Sequence, residues 1–304
     1  MLATGKSILD KANRGRYAVG AFNINNMEFL QAIINACDNL KSPVIIATSQ
    51  GAIKYAGMDY LKCMTYTAAE NTKVPVCLHL DHGTDMEVIK KCINMGWTSV
   101  MIDASHYDLE KNVKLTKKVV SMAHNKNVSV EAELGTIGGK EDQVSARKII
   151  YTDPDKAVEF VDRTGCDSLA VAIGTSHGPN KFAGKAKLNF DVLKEIDRRL
   201  KMPLVLHGAS GLPKDLVSLA KKWGVKLGNA HGVDDTSIRK AVKHGINKIN
   251  TDTDLRIAFD AAVRKYLKQN PADFDPRKIL APARDLIQQV VEHRIRVFGS
   301  KGKA

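Results

Sequence analysis

Short apolar runs rich in β-branched residues alternate with longer stretches of helical spacing along the whole chain. Near-continuous apolar runs of this kind are typical of parallel strands covered on both faces. The intervening stretches carry apolar positions three and four residues apart, and several end in Gly or Asn, as helix C-termini do. The eight runs are YAVGAFN (17–23), PVIIATS (43–49), VPVCLHLDH (74–82), SVMIDAS (99–105), VSVEAEL (128–134), SLAVAIGTSHG (168–178), PLVLHG (203–208) and NKINTDT (247–253).

Eight strand–helix units in 304 residues predict an α/β fold, specifically a (β/α)8 TIM barrel. The first run is not followed by GxGxxG, which weighs against a doubly wound dinucleotide-binding fold. Since no linker or low-complexity stretch divides the chain, we expect residues 1–304 to form a single barrel domain. Residues from about 257 to 304 have helical spacing and predict a C-terminal helical extension that packs on the barrel or on a partner subunit.

Composition narrows the class of protein. The chain has 44% apolar and 26% charged residues, and its five cysteines form no CxxC pair, so we expect a globular protein with reduced thiols, four of them in apolar surroundings. Neither a signal peptide nor an apolar run of about 18 residues is found, which predicts a soluble, cytoplasmic protein without a membrane partner. The formal charge of +13 comes from lysines spread over the predicted helices. This distribution favours attraction of a phosphorylated substrate over nucleic-acid binding.

Polar residues end nearly every apolar run. Because the C-terminal ends of barrel strands form one mouth, we expect these side chains to line a single site. They are Ser49, Asp81, His82, Asp103, Glu133, His177, His207, Gly208 and the segment from Asn250 to Thr253.

Three histidines stand at such strand ends: His82, His177 and His207. Any one of them alone is more often structural, but three imidazoles with one open position form a ligand set that suits catalytic zinc. Asp103 and Glu133 have two interpretations. They either accept hydrogen bonds that orient the zinc histidines, or they form a second metal position.

Small and polar residues at three further strand ends indicate phosphate binding. HGASG (207–211) precedes a helix start and GTSHG (174–178) is bounded by glycines, so backbone N–H groups can approach an anion closely. NTDTDLR (250–256) adds amide and hydroxyl donors. Lys181 and Arg256 are either cationic partners of the phosphate or solvated surface residues.

The glycine-rich loop 135–148 follows the fifth strand and has the composition of a lid. Glu141 within it is either a base that loop closure delivers or an ordinary charged loop residue.

Taken in order, the motifs LHLDHG (78–83), SVMIDAS (99–105), VEAELG (130–135), GTSHG, LHGASG (206–211) and NTDTDLR resemble the class II fructose-bisphosphate aldolases over the whole chain. The tagatose-bisphosphate aldolases share nearly all of these motifs. The resemblance implies zinc-dependent, reversible cleavage of fructose 1,6-bisphosphate to dihydroxyacetone phosphate and glyceraldehyde 3-phosphate in glycolysis and gluconeogenesis. It also implies a homodimer or homotetramer, and a monovalent cation (Na+ or K+) near the phosphate, as family members often use.

The resemblance also assigns roles to individual residues. His82, His177 and His207 bind zinc, and Asp103 and Glu133 correspond to a second metal site. Asp81 exchanges a proton with the C4 oxygen, and Glu141 moves a proton on dihydroxyacetone phosphate. The triose and its phosphate are held by Gly178, Gly208, Ala209, Ser210, Asn250, Thr251, Asp252 and Thr253. Ser49 and Arg256 meet the other half of the sugar, and the resemblance allows Arg256 to do so from across a dimer interface. The sequence departs from the family pattern at Lys140, where some relatives carry an acid, and at Asp234, where many have proline.

Three other classes of protein are less consistent with the residues. A lysine-based aldolase needs a desolvated lysine inside the barrel, and no predicted strand before the last one carries a lysine. A metal-dependent hydrolase barrel usually opens with HxH, which the first strand lacks. A non-enzymatic basic scaffold has no need of three strand-end histidines.

Overall fold

The computed structural model describes residues 1–141, 144–146, 150–177, 187–228 and 231–304, with the backbone alone for residues 138–141, 144–146 and 177. The strands are β1 (Val19–Asn23), β2 (Val44–Ser49), β3 (Val76–Gly83), β4 (Ser99–Ile102), β5 (Ser129–Leu134), β6 (Gly138–Glu141), β7 (Val144–Ala146), β8 (Ser168–Val171), β9 (Ser176–His177), β10 (Leu204–Leu206) and β11 (Ile246–Thr251). The helices are α1 (Gly5–Gly15), α2 (Met27–Leu40), α3 (Gln50–Ala56), α4 (Met58–Asn71), α5 (Met86–Met95), α6 (Leu109–His124), α7 (Pro154–Thr164), α8 (Phe190–Leu200), α9 (Lys214–Lys222), α10 (Asp235–Lys243), α11 (Thr253–Gln269) and α12 (Pro276–Phe298).

Eight parallel strands close into a barrel in the order β1-β11-β10-β8-β5-β4-β3-β2, with β2 pairing back to β1. The predicted TIM barrel is therefore confirmed. Its strands are buried along nearly their whole length, since side chains fill the interior and helices cover the outside. This double burial explains why the strands read as apolar runs in the sequence.

The run 168–178 forms two strands, where the sequence pattern predicts one. The barrel strand β8 ends at Val171, and the next strand, β9, belongs to a separate sheet of order β7-β6-β9. In that sheet β6 and β7 form an antiparallel hairpin, and Gly139 of β6 stands in register with His177. The backbone of the predicted lid thus pairs directly with the segment that carries the third histidine.

The helices follow the expected amphipathic pattern. In α2, the Asn26 side chain accepts a hydrogen bond from the Phe29 N–H at the N-terminus, and the helix buries an apolar face that includes Phe29 and Ile33. The last helix, α12, packs against α2 and α11. The same apolar packing buries four cysteines, as predicted, whereas Cys63 is exposed. Within the described part of the chain, every helix is too short or too polar to cross a membrane.

Candidate active site

An irregularity in β3 carries two adjacent side chains to the barrel mouth. Leu80 pairs with Val100 and Gly83 pairs with Ile102, so three steps of β3 lie against two steps of β4. Adjacent side chains of a regular strand point to opposite faces, but a bulge of this kind re-aims one of them. His82, at the bulge, has a left-handed φ of 46°. As a result, Asp81, His82 and His207 each place a potential ligand atom within 4.8 Å of the others.

The two histidines face each other inside the barrel mouth. Nε2 of His82 lies 2.8 Å from Nδ1 of His207, with the rings edge to face. The other ring nitrogen of each histidine contacts a carboxylate. Nδ1 of His82 lies 2.9 Å from Asp103, and Nε2 of His207 lies 2.8 Å from Glu131. Carboxylates on the far nitrogens orient histidines that bind zinc, so this donor set fits a metal cation.

The electrostatic surroundings also favour a positive charge. Burial lowers the pKa of His82, but the hydrogen bond with Asp103 and the charges of Asp81, Asp103 and Glu133 outweigh burial and raise that pKa to about 10. Burial raises the pKa of Asp103, but the contacts with His82 and Ser105 outweigh burial and hold that pKa below its usual range. The same carboxylates would also stabilise a metal cation, which would take the place of the imidazolium proton on His82.

Asp103 and Glu133 contact the site in different ways. Together with His82 they form a second group whose potential ligand atoms lie within 4.8 Å of one another. Asp103 contacts a ring nitrogen of His82, as an orienting acceptor does. Oε2 of Glu133 is buried and has no hydrogen-bond partner among the described residues. Burial, followed by the charge of Asp103, raises the pKa of Glu133 well above its usual value. A metal-ligating role for either residue stays a prediction.

A second polar layer lies two residues deeper along the strands. Lys248, fully buried, places Nζ 2.8 Å from Oε2 of Glu131 and 3.4 Å from Nε2 of His79. The other ring nitrogen of His79 lies 2.8 Å from Oγ of Ser99. Burial and the nearby ammonium group of Lys248 hold the pKa of His79 well below its usual value, so this ring is neutral. The layer fixes Glu131, and Glu131 in turn fixes the ring of His207.

Asp81 is held by two amides from opposite sides. Its Oδ2 accepts a hydrogen bond of 2.9 Å from Asn23, and its Oδ1 accepts one of 2.8 Å from Asn250. Since a carboxylate only accepts, both amides must turn their nitrogen atoms toward it. The Oδ1 atoms of Asn23 and Asn250 are buried without a hydrogen-bond partner in the described part of the chain. These two acceptors suit the hydroxyl groups of a bound polyol.

The turn after His207 requires close backbone approach. Gly208 has a φ of 62°, and a Cβ there would lie 2.7 Å from the carbonyl oxygen of Ser176. The backbone before His177 therefore touches the backbone after His207, and Ala209 and Ser210 are buried next to it. The side chains of His177 and Glu141 are not described, and Gly178 and Lys181 lie outside the described residues. The convergence of all three histidines stays a prediction.

The predicted binding residues of the last strand lie together at its end. Asn250, Thr251 and Asp252 are buried, and Thr253 begins α11. The half-exposed Arg256 donates from Nε to Asp252 across 2.8 Å. On the neighbouring side of the barrel, the Cα of Ser49 is in register with that of Asp81. Oγ of Ser49 accepts a hydrogen bond of 3.1 Å from the Ala52 N–H and so caps α3.

Sequence reasoning assigned no role in the site to Asn23, His79, Glu131 or Lys248. A signal for the last three was present, because each stands two residues before a strand-end residue on the same strand. The pairs are His79 with Asp81, Glu131 with Glu133, and Lys248 with Asn250. Side chains two apart on a strand share a face, so both members of each pair point into the barrel.

Comparisons with known proteins agree with this geometry. The model of the family "Fructose-bisphosphate aldolase class-II" matches residues 3–303. The chain is 50% identical to a fructose-bisphosphate aldolase of Thermus caldophilus, covering 100% of both chains. It is 47% identical to one of Giardia intestinalis, covering 100% of this chain and 94% of the relative. Among solved structures, the YdjI aldolase from Escherichia coli K12 superposes with a TM-score of 0.79 at 36% identity, over 100% of both chains. The chain therefore belongs to the class II fructose-bisphosphate aldolase family.

Proposed function

We propose that this protein cleaves fructose 1,6-bisphosphate reversibly into dihydroxyacetone phosphate and glyceraldehyde 3-phosphate. The observation that carries the proposal is the position of Asp81 beside two facing histidines whose far nitrogens are held by carboxylates. An aldol cleavage needs a base for one hydroxyl group and an electron sink for the neighbouring carbonyl group. We assign the base to Asp81, and the histidines to the metal ion that would act as the electron sink.

We propose His82, His207 and His177 as ligands of a zinc ion, with Asp103 and Glu131 as the groups that orient the first two. When bound, zinc supplies a Lewis acid that withdraws electron density from the ketose carbonyl. Glu133, with its buried oxygen atom, offers an alternative ligand on the Asp103 side of His82.

Asp81 is the group that moves the reacting proton. In cleavage it removes the proton of the C4 hydroxyl as the C3–C4 bond breaks, and in condensation it returns that proton to the new C4 oxygen. The amides of Asn23 and Asn250 fix its two oxygens, so the carboxylate keeps one orientation through both directions of the reaction. Their Oδ1 atoms accept no hydrogen bond from the residues that the structure describes, and we assign them to sugar hydroxyls.

Glu141 is proposed as the base that moves the proton on dihydroxyacetone phosphate once the β6–β7 hairpin covers the site. The phosphate of this triose is proposed to bind backbone N–H groups of residues 208–210 and the polar residues 250–253, together with Gly178 and Lys181. Ser49 and Arg256 are assigned to the other phosphorylated half. A Na+ or K+ ion near the first phosphate completes the proposed site.

A lysine-based aldolase mechanism finds less support. The barrel does contain a buried lysine on its last strand, Lys248, but its ammonium group is ion-paired with Glu131 at 2.8 Å. An ion-paired ammonium group has no lone pair with which to attack a carbonyl. Lys248 also lies one layer below Asp81 and Asn250, away from the mouth.

We further propose that the chain acts in the cytoplasm, in glycolysis and gluconeogenesis, as a single-domain subunit of a homodimer or homotetramer. The C-terminal extension packs on the barrel through the apolar faces of α11 and α12.

The deciding experiment measures turnover of fructose 1,6-bisphosphate and of tagatose 1,6-bisphosphate by purified protein, before and after EDTA treatment. We expect cleavage of the fructose sugar, its loss with EDTA and its return with zinc. Faster turnover of the tagatose sugar would assign the chain to the alternative substrate, since the two differ only at C4. Activity that survives complete metal removal would overturn the zinc assignment.

A further inference from the structure

The carboxylate of Asp254 supports the turn that follows His207. Asp254 is fully buried in the first turn of α11. Its Oδ2 accepts a hydrogen bond of 3.1 Å from the Gly211 N–H, and its Oδ1 accepts one of 2.9 Å from the Leu212 N–H. Leu212 has a left-handed φ of 47°, a backbone conformation that a leucine rarely adopts unaided. The shape of the turn therefore depends on an external support.

Arg294 holds that carboxylate from the other side. This residue of α12 is 1% exposed, and its Nε and Nη2 atoms each lie 3.1 Å from Oδ2 of Asp254. Nη1 donates across 2.9 Å to Asp235 at the start of α10. The guanidinium group also lies against Gly211, where an added Cβ would come within 2.0 Å of Nη2. The last glycine of HGASG is thus explained by Arg294.

The ion pair between Arg294 and Asp254 neutralises a buried carboxylate close to the proposed phosphate site. The two residues that directly precede Asp254 in the chain are Asp252 and Thr253, where the substrate phosphate is assigned. An unpaired buried carboxylate in this region would repel a phosphate dianion, and the guanidinium group of Arg294 neutralises it. Arginine suits this role because its planar fork reaches Asp254 and Asp235 at once.

We propose that Arg294 and Asp254 are positioning residues for phosphate binding. By holding the N–H groups of Gly211 and Leu212, they fix the orientation of the preceding N–H groups of residues 208–210. The C-terminal extension thereby contributes to substrate affinity. This inference rests on the proposed function. Neither residue contacts the reacting atoms in this assignment, so their loss is expected to act on binding more than on the chemical step.

The test compares Arg294→Met and Arg294→Lys with Val291→Ala, a core truncation in the same helix. The steady-state kcat and KM for fructose 1,6-bisphosphate and the inhibition constant of inorganic phosphate are measured for each folded variant. We expect Arg294→Met to raise both KM and the phosphate inhibition constant about tenfold, as a displaced hydrogen bond to a charged group does, with a smaller change in kcat. Arg294→Lys is expected to recover only part of this loss. Val291→Ala is expected to lower the melting temperature and leave KM unchanged.

The proposal is overturned if folded Arg294→Met binds phosphate as the unaltered protein does, or if Val291→Ala raises KM equally. Should Arg294→Met fail to fold, Asp254→Asn takes its place, because asparagine keeps the shape but can accept only one of the two N–H groups. A normal KM in that variant overturns the proposal as well. Failure of the proposed function is a separate result, since it appears in the unaltered protein as absence of cleavage of either bisphosphate.

Discussion

Asn250 donates from its amide nitrogen to Oδ1 of Asp81 across 2.8 Å, and this contact leaves the carboxylate with little rotational freedom. Asn23 holds the other oxygen, so the carboxylate of Asp81 keeps one orientation, as the proposed proton transfer would require. Asp81→Ala is expected to lower kcat for fructose 1,6-bisphosphate by about three orders of magnitude, because the general base is lost.

Zinc content is the control for that variant. We expect elemental analysis of Asp81→Ala to give the same zinc per chain as the unaltered protein, because the proposed ligands are histidines. Near-normal turnover with zinc bound would contradict the role of Asp81. A parallel loss of zinc and activity would make it a metal ligand instead.

Glu131 is expected to control metal affinity although it lies below the mouth. It holds the far nitrogen of His207 and is itself ion-paired with Lys248. Glu131→Gln is therefore expected to weaken zinc binding by roughly 10- to 100-fold, measured by competition with a chelator. The same change leaves the Lys248 ammonium group buried without its partner, so the free energy of unfolding is expected to fall by about 3 kcal/mol.

A double variant separates the two effects. Glu131→Gln with Lys248→Met removes the unpaired charge and is expected to regain stability while zinc affinity stays low. Glu292→Gln is the matched control, because Glu292 hydrogen-bonds Asn39 outside the barrel. Restored zinc affinity in the double variant would argue against the orienting role.

The strand-end pattern predicted the barrel and the mouth, because burial on both faces makes each strand visible as an apolar run. The polar layer beneath the mouth was harder to predict. Glu131 and Lys248 are single charged residues inside apolar strands, and only the closed barrel shows that they meet as an ion pair from strands β5 and β11. Their alternation with Glu133 and Asn250 indicates a shared face, but not a partner.

The sequence also gave no sign of the β3 bulge. The position of Asp81 and His82 at a strand end predicted only that both side chains line the site. In the structure the left-handed backbone of His82 and the extra step opposite β4 achieve this inside the strand. Backbone conformations of this kind depend on packing against the neighbouring strand, which residue types alone do not encode.

His79 gives a prediction about pH. Burial and the charge of Lys248 hold the pKa of His79 well below its ordinary value of 6.5. The ring therefore stays neutral in the folded protein but is protonated in the unfolded chain at low pH. Below pH 6.5 the unfolded state then binds more protons, so stability is lost as pH falls. The contribution of this one group is expected to be about 1.4 kcal/mol per pH unit below its unfolded pKa.

The measurement is urea unfolding of zinc-loaded protein between about pH 5 and pH 8, compared with His79→Gln. Glutamine does not titrate, so the stability difference between the two proteins is expected to shrink or reverse as pH falls. A difference that stays constant over this range would show that His79 is not neutral in the folded state.

Gly83 tests whether the bulge, and with it the His82–His207 contact, depends on close strand packing. A Cβ at Gly83 would collide with the carbonyl oxygen of Met101 on β4 and come within 2.8 Å of Ile89. Because backbone atoms cannot yield as a flexible side chain does, Gly83→Ala is expected to cost about 2 kcal/mol of stability and to shift β3 relative to β4. That shift moves His82 away from His207, so kcat and zinc affinity are expected to fall together.

Gly165→Ala is the matched control, because Gly165 has a φ of 68° and no atom of the described residues lies within 4 Å of the added Cβ. It should lose stability through backbone strain alone, with turnover unchanged. Equal turnover in the two alanine variants would mean that the histidine pair does not need the bulge.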